Sequence, residues 1–313
     1  MSVTEISRAA EIIRQGGLVA FPTETVYGLG ANALDPLAVA KIFEIKERPS
    51  FDPLIVHIAE VSAAADLVNL SELENYFSLL SRKFWPGPLT IVLPKKNIVP
   101  DIVTAGLPTV GIRMPDNEIA LDLIQKSGCP IAAPSANKFG ALSPTAAEHV
   151  RKQFPDLEIL DGGPTKVGIE STVIALHTDG FCILRQGIIT KEDLKTVLPA
   201  SAQTGEKLAS PGLLKSHYSP AKPLYLLGAE PKIDKKKTGY LAFNQVSEGF
   251  ARTEVLAANS DLRAAAANLF GALHRLEEAQ DIECILAEPV PETGIGLAIM
   301  DKLCKAAYRW KKH

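Results

Sequence analysis

Hydroxyl-bearing and cationic side chains recur where short apolar segments of this sequence end. Hydroxyl and backbone N–H groups bind phosphate oxygens, and arginine binds phosphate or carboxylate through two parallel hydrogen bonds. Such residues at neighbouring strand ends therefore indicate a cleft for an anion. The residues in these positions are Thr23, Glu24, Thr25, Lys46, Arg48, Asp52, His57, Thr109, Arg113, Ser135, Asn137, Ser143, Ser171, Thr172 and Arg185.

Each of these residues also has a purely structural interpretation, which the sequence leaves open. A lysine is favourable at a helix C-terminus, and a single histidine in an apolar strand is usually a core residue with satisfied hydrogen bonds. The structural alternatives are a helix C-terminus for Lys46, the core for His57, a turn for Asn137, a helix N-cap for Ser143, a loop brace for Glu24 and surface positions for Arg113 and Arg185.

The elements that must position these residues follow from hydrophobic periodicity and from helix caps. The segment "PTETVYGLG", residues 22–30, reads as a polar loop between a buried strand and a helix. The predicted order is an opening helix that stops at Gly16-Gly17, a strand over 18–21, a helix from Asp35-Pro36 to Lys46, a strand over 53–58, a helix over 71–83, strands in "LTIVLP", "TVGIRMP" and "CPIAAP", a helix starting at Ser143-Pro144, a hairpin turning at Asp179-Gly180 and a short helix with a Thr190–Asp193 capping box.

The pattern changes after residue 198. Residues 199–223 have no clear period and contain "SPGLLKSHYSP", so we predict a linker. From Leu224 onward the order is strand, strand, strand, helix, strand, helix, which is typical of a small α/β domain. The predicted division is therefore a catalytic domain over residues 1–198, a linker over 199–223 and a small α/β domain over 224–313.

The composition excludes several classes of protein. The chain has 313 residues, of which 46% are hydrophobic and 22% charged, as in ordinary soluble globular proteins. A formal net charge of −3 argues against a nucleic-acid coat or a polybasic membrane binder. No apolar run approaches the ~18 residues that span a bilayer, and the charged N-terminal segment does not read as a signal peptide.

The four cysteines disfavour both a zinc site and a disulfide framework. Cys129, Cys182, Cys284 and Cys304 lie far apart and form no C-x-x-C pair. Reduced thiols are typical of a cytoplasmic protein, so we expect that location.

One segment matches the dinucleotide-binding fingerprint but lies at the wrong distance from the predicted strand and helix. Residues 28–33, "GLGANA", fit G-x-G-x-x-A, yet that motif requires its first glycine at the strand end and its third at the start of the helix. Here six residues separate Phe21 from Gly28, and the predicted helix begins only at Asp35. A Walker P-loop is also absent from the sequence. Any nucleotide must therefore be bound in another way.

Taken together, the motifs resemble the YrdC-like family of threonylcarbamoyl-adenylate synthases in its longer two-domain form. The matching segments are "FPTETVYGLG", "KIFEIKERPSFDPLIVHI", "WPGPLTIVL", "TVGIRMP", "IAAPSANKFGALSPT", "DGGPTKVGIESTVI", "ILRQG", "SPGLLKSHYSP" and "GIGLAIMDKLCKAA". The resemblance implies an α/β fold in which a twisted, mixed-sheet YrdC-like domain with an electropositive cleft precedes a small Rossmann-like α/β domain.

The resemblance also implies a reaction. L-threonine, bicarbonate and ATP, with Mg²⁺ on the ATP phosphates, would give L-threonylcarbamoyl-adenylate and pyrophosphate. The product would pass to a tRNA threonylcarbamoyl transferase complex that modifies the adenosine beside the anticodon in tRNAs reading codons that begin with A. We expect no stable binding of nucleic acid and no membrane partner.

The resemblance assigns roles to individual residues. Lys46 and Arg48 would stabilise charge in the transition state, and Arg113 would bind the threonine carboxylate. The family usually has asparagine where this chain has Asp52, which puts a nucleotide role for Asp52 in doubt. The implied nucleotide set is Lys46, Arg48, Asp52, Thr109, Ser135, Asn137, Ser143, Arg185 and Tyr218, and the implied threonine set is Thr25, His57, Arg113, Ala133 and Ser171.

The resemblance also implies roles for two segments. The 22–30 loop would hold threonine through Thr25, with its glycines permitting close approach. The linker would fold over the site, with Tyr218 touching the nucleotide and His217 supporting it. An exposed tether is the alternative for the linker.

Two other functions remain as alternatives. A non-enzymatic RNA-binding module could use a basic cleft, although the net charge and the lack of an aromatic-plus-basic platform count against it. A carbamoyl-phosphate enzyme could use the same domain, but such proteins add acylphosphatase-like and zinc-finger-like parts, and this sequence has no C-x-x-C pair.

Overall fold

The computed structural model of the chain describes residues 3–49, 52–203 and 217–310. In the N-terminal part the helices are α1 (Val3–Arg14), α2 (Pro36–Lys46), α3 (Ala64–Leu67), α4 (Glu74–Phe84), α5 (Asp101–Thr104), α6 (Glu118–Ser127), α7 (Ala147–Gln153) and α8 (Lys191–Lys195). The strands are β1 (Val19–Phe21), β2 (Gly28–Asn32), β3 (Ile55–His57), β4 (Leu89–Pro94), β5 (Thr109–Arg113), β6 (Ile131–Ala132), β7 (Glu158–Ile159), β8 (Thr172–His177) and β9 (Gly180–Arg185).

Local caps set several helix bounds as the sequence predicts. The Asp35 side chain accepts hydrogen bonds from the first backbone N–H groups of α2, and Pro36 takes the first helical position. Thr190 and Asp193 form the expected reciprocal capping box at α8.

The nine strands form one mixed sheet in the order β7-β1-β2-β6-β3-β5-β4-β8-β9. The pairs β1–β7, β3–β5 and β4–β8 are parallel, and the other neighbours are antiparallel. In the β3–β5 pair His57 lies opposite Arg113, so two predicted site residues are brought together by strand register.

Three local predictions are wrong. Ser143 does not start a helix: α7 begins at Ala147, and the Ser143 hydroxyl donates instead to the Glu170 carboxylate. Residues 28–30 of the expected loop belong instead to β2, which pairs antiparallel with β1. The β8–β9 hairpin turns at residues 178–179, one position earlier than expected, because Gly180 already pairs with His177.

The glycines of β2 serve sheet packing. A Cβ on Gly30 would lie 2.8 Å from the side chains of both Phe21 and Ile131. At Gly30 the close approach is therefore to neighbouring core side chains, which is a different role from the expected contact with a ligand.

Sequence reasoning missed the helix α6. Its signals are present: the Asn117 side chain caps it by accepting from the N–H groups of Ile119 and Ala120, and Gly128 ends it in the left-handed conformation. Four-residue α5 and two-residue β7 were missed as well, and elements so short have no period to detect.

The C-terminal part follows the predicted order of elements. It consists of β10 (Leu224–Leu226), β11 (Thr238–Ala242), β12 (Arg252–Val255), α9 (Leu262–Glu278), β13 (Cys284–Ala287) and α10 (Ile295–Tyr308). Its four strands are all parallel, in the order β10-β13-β11-β12. The predicted fold class, a mixed-sheet α/β unit followed by a small Rossmann-like unit, is confirmed.

The two parts share apolar packing. Leu142, Ile169 and Ile188 from the N-terminal part belong to the same buried cluster as the helices α9 and α10. His149 on α7 stacks on His274 on α9 with ring centroids 3.7 Å apart, and His274 Nε2 lies 3.1 Å from the Ser143 carbonyl oxygen. The domain limits at residues 198 and 223 stay a prediction, but the parts they separate are in extensive contact.

Two further observations concern the described residues alone. None of their helices combines the length and apolarity needed to cross a bilayer. All four cysteines are free thiols.

We predict that Gly168→Ala destabilises the protein by at least about 2 kcal/mol, because a side chain is strained there and meets backbone. Gly168 has φ +76°, and a Cβ would lie 2.4 Å from the carbonyl oxygen of Ala267 on α9. Chemical denaturation followed by circular dichroism measures the change in the free energy of unfolding.

Gly271→Ala is the matched control for this prediction. Gly271 lies inside α9, and the nearest atom to an added Cβ is the flexible tip of Arg275 at 3.4 Å. Alanine is the better helix former, so this change should stabilise by roughly 0.5–1 kcal/mol. Equal effects of the two substitutions would contradict the packing argument.

Candidate active site

A cavity of about 50 Å³ lies over one face of the nine-stranded sheet. Ile55 and His57 are two residues apart on β3 and both line it, which identifies the face. Nine of the fourteen predicted site residues also line this cavity: Thr25, Arg48, His57, Arg113, Ala133, Ser135, Ser171, Arg185 and Tyr218.

Arg113 is buried beneath the 22–30 segment. Its guanidinium makes an ion pair with Glu24, with N and O 2.6 Å apart, and donates to the Thr25 hydroxyl at 3.1 Å. The ion pair is poorly aligned, since neither Glu24 oxygen accepts a hydrogen bond from the described residues. The surface interpretation of Arg113 and the local-brace interpretation of Glu24 are therefore wrong. The Arg113 guanidinium can therefore still bind the carboxylate of a ligand.

His57 presents a neutral imidazole to the cavity. Burial, and then the nearby charge of Arg113, lower its pKa to about 3. Its Nδ1 atom has no hydrogen-bond partner among the described residues. The interpretation as a satisfied core histidine is wrong, because a buried nitrogen at the cavity wall is left available.

Ser171 and Arg185 form one hydrogen-bonded unit. The Arg185 Nη2 group donates to the Ser171 hydroxyl at 3.0 Å and to its carbonyl at 2.9 Å. The hydroxyl also lies 2.8 Å from the Thr90 hydroxyl on β4. Arg185 is buried, so its surface interpretation is wrong as well.

Arg48 reaches the cavity with its charge already balanced. It pairs with Asp52 at 2.9 Å and donates to the carbonyls of Asp52 and Pro53. Burial raises the pKa of Asp52, and the charge of Arg48 opposes that rise. The carboxylate at the position where the family usually has asparagine is therefore met by a cation of the same chain.

Lys46 lies behind the cavity wall. Its ammonium donates to the Ser135 carbonyl at 2.6 Å and to the Asn137 carbonyl, and burial lowers its pKa well below the ordinary value. The last carbonyls of α2 are instead satisfied beyond the helix end, where Glu47 adopts the left-handed conformation. Lys46 thus braces the 135–137 segment and does not act as a helix cap.

Five predicted residues do not line the cavity: Lys46, Asp52, Thr109, Asn137 and Ser143. The Asn137 amide donates to the carbonyls of Lys138 and Ala141, as the turn interpretation expects. Thr109 shares a strand face with Arg113 but lies at the other end of β5, in an adjoining small cavity that Ile55 also lines.

The end of the linker closes the cavity. His217 and Tyr218 both line it and are buried, so the exposed-tether interpretation is wrong for these two residues. Tyr218 has φ +60°, and burial followed by the charge of Glu170 raises the pKa of its phenol. The rest of the "SPGLLKSHYSP" segment, residues 210–216, lies outside the described residues.

Sequence reasoning missed one charged residue of the site. Glu170 lines the cavity and accepts a hydrogen bond from Ser143. The detectable signal was a carboxylate directly before Ser171 in an otherwise apolar segment. Three more lining residues were not singled out, namely Val26, Ile55 and Pro134, while Thr23 and Gly28 had been named as candidates without a place in either substrate set.

The described residues hold no group of three or more His, Cys, Asp or Glu side chains placed to bind a metal ion. Of the carboxylates near the cavity, Asp52 pairs with Arg48 and Glu24 with Arg113, while Glu170 accepts from Ser143.

Comparisons with known proteins agree with this architecture. A family model described as "Telomere recombination" matches residues 11–187, and one described as "Threonylcarbamoyl-AMP synthase, C-terminal domain" matches residues 189–308. The chain belongs to the threonylcarbamoyl-AMP synthase family. The resemblance that the sequence suggested is thereby confirmed, in the two-domain form.

Members of this family match nearly the whole chain. The threonylcarbamoyl-AMP synthase of Bacillus subtilis is 43% identical over 97% of this chain and 93% of its own length. The Pyrococcus abyssi protein is 43% identical over 97% and 94%. The crystal structure of P. abyssi Sua5 complexed with L-threonine superposes with a TM-score of 0.86 at 42% identity, covering 97% of this chain and 94% of that one.

We predict that His57 remains neutral where an ordinary histidine titrates. Its folded-state pKa of about 3 lies below the ordinary value of 6.5, so the folded protein binds fewer protons than the unfolded one. The stability that depends on His57 is therefore complete above pH 6.5 and declines as the pH falls towards 3. The NMR shift of its Cε1–H should stay constant between pH 8 and about pH 5.

The urea-unfolded protein provides the reference for this measurement, because its histidines titrate near pH 6.5. A midpoint between about pH 6 and pH 7 for His57 in the folded protein would show that the imidazole is solvated.

Proposed function

We propose that this chain is an L-threonylcarbamoyladenylate synthase, which converts L-threonine, bicarbonate and ATP into L-threonylcarbamoyl-AMP and pyrophosphate. The observation that carries the proposal is one cavity lined by all five residues of the implied threonine set and by four of the nine residues of the implied nucleotide set, in a chain that aligns over 97% of its length with synthases of that name. The chain is an ATP-dependent transferase.

The threonine end of the cavity is supported by Arg113, Thr25 and His57. The threonine carboxylate binds the Arg113 fork in competition with the poorly aligned Glu24 carboxylate. The neutral imidazole of His57 supplies a hydrogen-bonding nitrogen without adding another charge beside Arg113. Ser171 and the backbone at Ala133 complete the threonine set.

The nucleotide end is supported by Arg48, Arg185 and Ser135, which line the same cavity. Asn137, Ser143 and Asp52 belong to this set through the segments they brace, and Thr109 would be reached by a ligand extending past Ile55. These individual assignments stay predictions.

The chemistry requires two anions to meet. The threonine amine attacks the carbon of bicarbonate and water is lost, which gives the carbamate. One carbamate oxygen then bonds to the α-phosphorus of ATP, and the bond from that phosphorus to the bridging oxygen breaks, so that pyrophosphate leaves with the electron pair. Arg48 neutralises developing charge, and Lys46 contributes by fixing the Ser135 segment.

The linker acts as a lid in this proposal. With His217 and Tyr218 in place the cavity measures about 50 Å³, whereas sites for drug-sized ligands measure roughly 300–1,000 Å³. Substrates therefore require these residues to move outward before closure. Closure excludes water, which protects the carbamate and the adenylate from hydrolysis.

The product has a defined fate in the proposal. Threonylcarbamoyl-AMP is a reactive mixed anhydride, so a tRNA threonylcarbamoyl transferase complex must take it up to modify tRNA. A stable complex between this chain and nucleic acid is not required. The basic run at residues 235–237 supports that view, since Lys237 pairs with Glu283 and Lys235 lies over Phe250.

The proposal predicts that pyrophosphate release from MgATP requires both threonine and bicarbonate. A coupled pyrophosphate assay should be run with each of the twenty amino acids, in carbon-dioxide-free buffer with and without added bicarbonate. Serine lacks one methyl group and should support release about 10- to 200-fold less efficiently.

Pyrophosphate release that does not depend on bicarbonate would indicate a different adenylation reaction. Absence of release under every condition would contradict the proposal, and salt-dependent RNA binding would then be the function to measure.

The threonine assignment predicts a selective defect in Thr25→Ala. The hydroxyl accepts from Arg113, and losing a hydrogen bond to a charged group should raise KM for threonine about tenfold while KM for ATP changes by less than about twofold. Initial rates at saturating co-substrate give both constants.

Thr196→Ala is the control for this variant. Its hydroxyl bonds only locally, to the Asp193 carbonyl at the end of α8. Equal increases in both KM values of Thr25→Ala would refute the assignment.

A further inference from the structure

Lys302 is a buried lysine of the C-terminal domain that the proposed mechanism does not use. It lies on α10 and is 1% exposed. Its ammonium pairs with Asp301 at 2.9 Å and donates to the Gln186 carbonyl at 3.2 Å. The same ammonium lies 5.3 Å from the ring centroid of Tyr218. One cation thus touches the residue after Arg185 and the aromatic ring that closes the cavity.

The C-terminal domain also contacts the linker through residues other than Lys302. The Tyr218 ring packs against Phe270 of α9 with centroids 5.5 Å apart. The Ser219 hydroxyl donates to the Ala306 carbonyl of α10 at 3.2 Å. The Ser219 N–H donates to Gly140, in the N-terminal domain, at 2.8 Å. The linker end is therefore clamped between the two domains.

Burying this ammonium is costly for the fold. Removal of an ammonium from water is compensated only by well-placed partners, and an apolar side chain of similar volume is often neutral or stabilising in such a place. The charges that face Lys302 are Asp301, Glu170 and Arg185, and burial has the largest effect, lowering its pKa. Because the stability of the fold does not favour a buried lysine at this position, we expect Lys302 to contribute to closure of the cavity or to catalysis.

We propose that Lys302 is a positioning residue that holds Tyr218 over the cavity and fixes the Gln186 segment, so that the C-terminal domain controls closure of the site. The ammonium binds the ring face by cation–π attraction and binds the carbonyl by a hydrogen bond. Opening of the lid breaks the first contact and leaves the second. This proposal rests on the proposed function for its kinetic consequence, but its conformational consequence is independent of any activity.

The decisive measurement is amide hydrogen exchange of residues 217–222 in the substrate-free full-length protein. Lys302→Met keeps the length of the side chain and removes the charge, so the closed linker loses its cationic contact. We expect exchange of the Ser219 amide to become about tenfold faster, while the melting temperature stays equal or rises. Lys302→Gln provides a second variant should the methionine protein fold poorly.

Arg252→Met is the control in the same domain. Arg252 pairs with Asp281 at 2.6 Å on the surface, and both belong to the C-terminal domain. This change should leave linker exchange unaffected. Wild-type exchange at Ser219 in folded Lys302→Met and Lys302→Gln would overturn the proposal, whatever the activity of these variants.

Kinetics extend the test to the reaction. A smaller closed fraction should lower kcat for pyrophosphate release about tenfold and leave KM for threonine within about twofold, because the Arg113 subsite is untouched. The variant Tyr218→Leu should show the same loss, and adding Lys302→Met to it should cause no further loss. Additive losses would overturn the coupling through Tyr218. A wild-type protein without pyrophosphate release would refute the proposed function and leave the exchange result to decide on Lys302.

Discussion

The architecture depends on burying cations around a small cavity at an acceptable cost. Arg48, Arg113, Arg185, Lys46 and Lys302 are each nine-tenths or more buried. Because an isolated buried charge is strongly unfavourable, each needs partners fixed by the fold. Arginine forks and ammonium groups held in this way are already desolvated and oriented, so an entering anion meets them without reorganisation.

The groups that compensate these buried cations come from both domains of the chain. The Glu24 and Asp52 carboxylates meet Arg113 and Arg48, while backbone carbonyls meet Lys46. Lys302 is met by Asp301 on its own helix and, across the domain boundary, by the Gln186 carbonyl. Substrate anions would replace only the weakest of these contacts. The poorly aligned Glu24–Arg113 pair is well placed to give way, since neither Glu24 oxygen accepts a hydrogen bond from the described residues and Arg113 lines the cavity.

The sequence predicts well whatever is decided locally. Asp35 and Thr190 cap their helices through hydrogen bonds to residues two or three positions away. The succession of strands and helices along the C-terminal domain follows from hydrophobic periodicity. Ser143 shows the limit: its local context suits a helix cap, but Glu170, distant in sequence, takes its hydroxyl. The Arg113–Glu24 pair and the burial of Tyr218 are also long-range results, which depend on strand register and on α9 packing and have no trace in local spacing.

The shared apolar cluster has a consequence for biosynthesis. Leu142, Ile169 and Ile188 leave the ribosome long before the α9 and α10 residues that cover them. During that interval the nascent N-terminal domain exposes an apolar surface, which is the condition that recruits chaperones and favours association between chains. Synthesis of α9 and α10 therefore ends this exposure, so the catalytic domain loses its exposed apolar surface only after the C-terminal domain has been made.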